Sequence, residues 1–142
     1  MRLAAAAACA VLAAAGVAAA ATISEPVALL QGLDKTSARI SKFEAPVGKP
    51  VQFGDLWITV RDCEKNPPDE QPESAAFLEI AEARPGKERV TVFSGWMFAS
   101  SPALSAMEHP IYDVNVLECL GAPPPAAAPP PAAANPLAKS PR

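Results

Sequence analysis

Between Leu56 and Cys63 apolar and polar positions alternate, with Leu56, Ile58 and Val60 on one face of an extended strand and Trp57, Thr59 and Arg61 on the other. Ala75 to Ala83 repeats the pattern, placing Leu78 and Ile80 together and Phe77 opposite. Arg84-Pro85-Gly86-Lys87 follows, with Pro85 presetting its own torsion and Gly86 free to take the positive φ of a type II turn. Arg89 to Phe93 then returns with Val90 and Val92 facing together, so the two segments are expected to form an antiparallel hairpin. Arg39 to Phe43 alternates more loosely, Pro46-Val47-Gly48-Lys49-Pro50 is turn chemistry, and Val51-Gln52-Phe53 is short. Ile111 to Leu120 reads as the last strand, with Tyr112, Val114 and Val116 on one face.

Residues 64–74 hold three prolines and four carboxylates, which forbids an interior strand and predicts a long solvated loop. After the dense stretch Trp96-Met97-Phe98, Ser101 suits a helix cap and Pro102 a first helical position, predicting one short helical turn before Pro110. Residues 22–31 read as a lead-in with a short apolar patch from Val27 to Leu30. The expected architecture is all-β: five or six short strands in a small antiparallel β-sandwich or partly open barrel over residues 32–120, with one helical turn.

Composition sharpens the limits of that domain. All eight aromatics lie from Phe43 to Tyr112, whereas alanine crowds both ends and eight of the 17 prolines follow Gly121. The first 21 residues carry Arg2, an apolar Ala-rich run over residues 3–17, and small residues at Ala19 and Ala21. This is the layout of a signal peptide cut before Thr22, which predicts export to the periplasm. Retention of residues 3–23 would instead make the chain a membrane-anchored structural protein. Residues 121–142 hold two triple-proline runs that favour polyproline II and cannot pack a core, predicting a disordered tail. A net charge of −3 argues against a nucleic-acid partner.

Cys9 leaves with the signal segment, and the remaining Cys63 and Cys119 form an even pair in an exported chain, which predicts a disulfide. Closing a loop over residues 63–119 is worth about 4 kcal/mol in the chain-entropy model. His109 is the only histidine, so no metal site and no cofactor is expected. The acidic run Asp69, Glu70 and Glu73 matches no calcium loop.

For chemistry, Ser100 or Ser101 with His109 and Asp113 is the one nucleophile–base set, the basis of a competing reading as a small periplasmic hydrolase. No nucleophile elbow accompanies it. Trp96, Met97 and Phe98 cannot all enter one core from a regular strand, because neighbours point to opposite faces. A recognition surface of Trp96, Met97, Phe98, Ser101, His109 and Tyr112 is therefore expected, and the preferred reading is a non-enzymatic accessory or binding protein with a protein or glycan partner.

The stretches LDKTSAR (33–39), APVGKPVQFGDLWITVRDCEKNPP (45–68), PESAAFLEI (72–80) and FSGWMFASSPALSAMEHPIYDVNVLEC (93–119) together resemble the bacterial domain of unknown function 2155 family. The resemblance implies a small exported protein of Gram-negative bacteria with domain limits near Leu33 and Cys119. It implies no activity, cofactor or catalytic residue. Intact mass of the chain recovered from the periplasm is expected to begin at Thr22, and a mass retaining residues 3–23 would favour the anchored form.

Overall fold

The computed structural model describes residues 21–122; the proposed signal segment up to Ala20 and nearly all of the Pro/Ala-rich tail lie outside the described residues. Among the described residues eight strands form rather than five or six: β1 (Ile23–Ser24), β2 (Val27–Asp34), β3 (Arg39–Pro46), β4 (Pro50–Phe53), β5 (Leu56–Lys65), β6 (Ser74–Glu82), β7 (Val90–Phe98) and β8 (Tyr112–Leu120). They make two antiparallel sheets. The larger runs β1-β5-β6-β7, with β4 also on β5, and the smaller runs β3-β2-β8. The molecule is a sandwich, not a closed barrel. Among the described residues the one helical element is a 3-10 turn at Pro102–Ser105 with Pro102 in its first turn.

The segment read as a lead-in is the largest departure from expectation. β2 is the central strand of the smaller sheet, paired along its length with both β3 and β8. Its Ala28 and Leu30 are fully buried. β2 does alternate, with Ala28, Leu30 and Gly32 buried and Leu29, Gln31 and Leu33 half-buried, but the apolar side chains on its outer face blur the pattern, which is why Val27-Ala28-Leu29-Leu30 resembled a mere apolar patch. The β6–β7 hairpin forms as expected, with Gly86 at φ 73° in its turn.

The core lies between the sheets. Leu56, Ile58, Val60, Leu78 and Ile80 from the larger sheet meet Leu30, Val114 and Val116 from the smaller one, all essentially inaccessible. At one end an aromatic chain closes it. Phe43 stacks on Phe53 at 5.5 Å, and Phe53 meets Tyr112 edge-on at 5.6 Å. Two glycines make room for those rings. A Cβ on Gly32 would sit 2.6 Å from the Phe53 ring, and one on Gly54, already at φ +58°, would meet the Tyr112 hydroxyl.

Both cysteines depend on a break in strand periodicity. On β5 the inward set is Leu56, Ile58 and Val60, so strict alternation would turn Cys63 to solvent. A bulge leaves Arg61 unpaired between Val60↔Leu78 and Asp62↔Phe77, and Cys63 turns inward. On β8 the inward set is Val114 and Val116, and a second bulge leaves Leu117 unpaired between Val116↔Leu30 and Glu118↔Leu29, turning Cys119 inward. The two residues meet across the core as a disulfide, Cα–Cα 5.7 Å, both fully buried. The bond joins the two sheets, so it faces across the core rather than linking neighbouring strands.

Replacing both cysteines by alanine is expected to cost about 2–5 kcal/mol in urea unfolding. Wild type treated with reductant is expected to move toward the double variant. Coincident oxidised and reduced midpoints would contradict the bond's contribution.

Candidate functional site

Alternation along β7 separates the three residues of the dense aromatic stretch. Met97 points into the core at 3% exposure, while Trp96, 37% exposed, and the half-buried Phe98 lie on the outer face of the larger sheet. Met97 is therefore packing, not part of a surface. Registers place Trp96 opposite Phe77 and Phe98 opposite Ala75, and carry the two rows on to Asp62 and Glu64 of β5. The Phe77 and Trp96 rings pack edge-to-face at 5.6 Å and 81°, which props the indole in place.

The result is an aromatic and aliphatic strip of Ala75, Phe77, Trp96 and Phe98 on β6 and β7. Asp62 and Glu64 line its far side, and the ion pair Arg61–Glu79 at 2.7 Å closes one end. Farther along the same face the Arg89 guanidinium lies 4.6 Å over the Trp57 ring. Neither this cation–π pair nor Phe77 was singled out as part of a site from the sequence. The cross-strand registers that assemble them follow from the bulge at Arg61, and another at Val92 lies between Ile80↔Phe93 and Ala81↔Thr91.

His109 and Tyr112 do not join this strip. His109 is 6% exposed, and its ring stacks on Tyr112 at 5.5 Å, continuing the internal aromatic chain. Its Nδ1 accepts the backbone amides of Ile111 at 3.2 Å and Tyr112 at 3.1 Å. That leaves Nε2 as the protonated nitrogen, 3.3 Å from Glu82 Oε1. The side chain of Arg84 first, and His109 after it, hold the Glu82 carboxyl below the usual range against the opposing effect of burial. The Lys35 ammonium donates to the His109 carbonyl at 2.7 Å, tying this loop to the β2–β3 turn.

The nucleophile–base set is not assembled. The Ser101 hydroxyl lies 3.5 Å from that of Ser100, and the hydrogen bonds of His109 go to Ile111, Tyr112 and Glu82. Asp113 accepts a long hydrogen bond from Asn115 at 3.5 Å. Ser101 occupies the cap position of the 3-10 turn, but its side chain makes no capping hydrogen bond; its carbonyl accepts the Leu104 amide at 3.1 Å. Among the described residues no three His, Cys, Asp or Glu side chains gather as a metal site, and no helix is long and apolar enough to cross a membrane.

Glu73 is the anchor that sequence reading placed in a solvated acidic loop. Its carboxylate accepts the Ser74 amide at 3.0 Å, the Ser100 amide at 3.1 Å and the Ser100 hydroxyl. Ser74 Oγ in turn accepts the Cys119 amide at 3.1 Å. The loop before β6 and the loop after β7 are thus pinned beside the disulfide. They border an open cleft of about 290 Å³ that includes Lys65, Asn66 and Glu118. Burial works to raise the Glu73 pKa, but the Ser100, Ser74 and Ala99 hydrogen bonds outweigh it and hold the group below its ordinary value.

A family model described as "Uncharacterized protein conserved in bacteria (DUF2155)" matches residues 28–119. That span runs from the second residue of β2 to Cys119 and takes in the whole aromatic strip. Among curated proteins, "Uncharacterized protein RP359" of Rickettsia prowazekii (strain Madrid E) is 30% identical over 87 residues. The match covers 61% of this chain and 56% of that relative's length. No solved structure matches the chain.

A lowered carboxylate pKa contributes stability above its unfolded value, lost as pH falls through the folded value. Wild type is therefore expected to lose more stability than Glu73→Gln when urea midpoints are compared between pH 6 and pH 3.5. Asp34, held at about 2 by the Thr36 and Ser37 hydrogen bonds, is common to both proteins and cancels. Parallel losses in the two proteins would contradict the anchoring role.

Proposed function

We propose, on the premise that the chain belongs to the bacterial DUF2155 family, that it is an exported, non-enzymatic binding module of the cell envelope. It engages a protein or glycan partner through the outer-face strip of Trp96, Phe98 and Phe77. The observation that carries the reading is the exposure of Trp96. A tryptophan 37% open to solvent packs edge-on against Phe77 and is flanked by Phe98 on the outer face of the larger sheet. Rigid aromatic side chains ringed by polar groups are the usual anchors of recognition surfaces. The carboxylates Asp62 and Glu64 and the Arg61–Glu79 pair supply that polar rim.

Export to the periplasm is supported by two independent features. One is the charged, apolar and small-residue order of the first 21 residues. The other is the buried Cys63–Cys119 bond, a kind that persists where reductants are scarce. Occupation of both His109 ring nitrogens by structural hydrogen bonds favours binding over hydrolysis at Ser101.

Crosslinking and pulldown from intact periplasm tests the reading. Trp96→Ala is expected to lose partner capture by roughly thirtyfold, about 2 kcal/mol, while keeping its far-UV spectrum and a single cooperative melt. A chain ending at Gly121 is expected to retain capture. Undiminished capture by Trp96→Ala would refute the strip as the binding surface.

A further inference from the structure

We infer that the proline runs of the chain's own tail dock on the strip of Trp96, Phe98 and Phe77, an internal ligand that a partner must displace. The inference rests on the binding reading above. It adds the class of ligand the surface takes, a polyproline II segment, and the way its access is regulated.

The two runs, Pro123–Pro125 and Pro129–Pro131, favour polyproline II, a form that proline sets before any contact is made. Such a segment loses little freedom on docking, and aromatic-lined surfaces are what recognise it. The strip supplies aromatic side chains in the arrangement this needs. Phe77 and Trp96 meet edge-to-face at 5.6 Å, so one ring stands against the other and forms a corner, with Phe98 in the next row. Charge agrees with the fit. Asp62 and Glu64 border the strip, and residues 121–142 carry none of the chain's 15 Asp and Glu side chains. The charged side chains of the tail are Lys139 and Arg142, opposite in sign to that border.

The tail is rooted at the strip. Ser74 Oγ accepts the Cys119 amide at 3.1 Å, which sets the end of β8 beside the residue that precedes Ala75. A Cβ on Gly121 would lie 3.5 Å from the Glu25 carboxylate, which pairs with Lys65 at 2.6 Å. The residue before Glu25 is Ser24 of β1, opposite Glu64, and that row continues through Ala75 to Phe98. Three strand spacings of about 4.8 Å carry it from Ser24 to Phe98, roughly 14 Å. At about 3.1 Å per residue, Pro125 reaches about 12 Å from Gly121 and Pro131 about 31 Å. The row from β1 to Phe98 thus lies within the span of the two runs. A tether this short sets a local concentration of about 1 mM. At that concentration a contact with an intrinsic Kd of about 0.1 mM is closed roughly nine times in ten, which lowers apparent partner affinity roughly tenfold.

The test compares the full disulfide-bonded chain with a variant carrying Pro123→Ser, Pro124→Ser, Pro125→Ser, Pro129→Ser, Pro130→Ser and Pro131→Ser. In proton–nitrogen correlation spectra the Trp96 indole resonance is expected to move between the two, unchanged on dilution. The Trp57 indole, in the Ala81 row and under Arg89, is expected to stay in place. A synthetic peptide of residues 121–142 added to the serine variant is expected to return Trp96 toward its wild-type position. Periplasmic capture by the serine variant is expected to rise roughly tenfold over wild type. Coincident Trp96 resonances in the two chains would overturn the inference and make the tail a spacer. A shift that fades on dilution would assign the contact to the tail of a second copy, and equal capture would deny the masking; either overturns it. Trp96→Ala keeps the two proposals apart. Capture lost there with no tail-dependent shift in wild type sinks the tail contact alone. A tail-dependent shift with undiminished capture by Trp96→Ala sinks the binding strip.

Discussion

The bond between Cys63 and Cys119 holds together two sheets that share no backbone ladder. Each cysteine reaches it only because its strand carries an extra residue, Arg61 on β5 and Leu117 on β8. Those bulges shift the alternation of everything beyond them. On β5 the shift turns Asp62 and Glu64 outward, opposite Phe77 and Ala75, and so forms the polar border of the aromatic strip. Stability and surface chemistry are therefore set by one device. A strand without the bulge would lose the disulfide and move its carboxylates to the core side.

Around that bond a second layer of polar contacts holds the loops. Ser74 joins the Cys119 amide to the start of β6, and Glu73 gathers Ser100 beside it. At the opposite end, His109 is fixed by two backbone amides and by Glu82, and it extends the Phe43–Phe53–Tyr112 chain. Both loops that resembled candidate chemistry are thus occupied in holding the sandwich shut. The outer face of the larger sheet, with Trp96 on β7, takes no part in those contacts and is the surface of the proposed binding role.

Much of the architecture was legible in residue pattern, for reasons specific to each element. Half-buried strands such as Leu56–Val60 and Ala75–Ala83 alternate and announce themselves, and Pro85-Gly86 marks the hairpin between β6 and β7. β2 was not legible, because Leu29 and Leu33 on its outer face blur the alternation of Ala28, Leu30 and Gly32 and the inward position at its centre is a glycine. That glycine is there for the Phe53 ring, a contact between segments that pattern does not reveal. The expected surface was partly dismantled for a similar reason. Alternation said that Trp96, Met97 and Phe98 must divide between faces, but not that Tyr112 would pack inside or that Phe77 would be Trp96's partner. The bulges had one visible trace: a cysteine three positions after the last inward valine, where strict alternation would leave it outside on both strands.

The sandwich depends on a covalent tie between its two sheets. Intact mass of the chain as cells make it, denatured with an alkylating agent before and after reduction, tests it directly. No adduct is expected on Cys63 or Cys119 until reductant is added, and then one on each. Two adducts without reductant would contradict it.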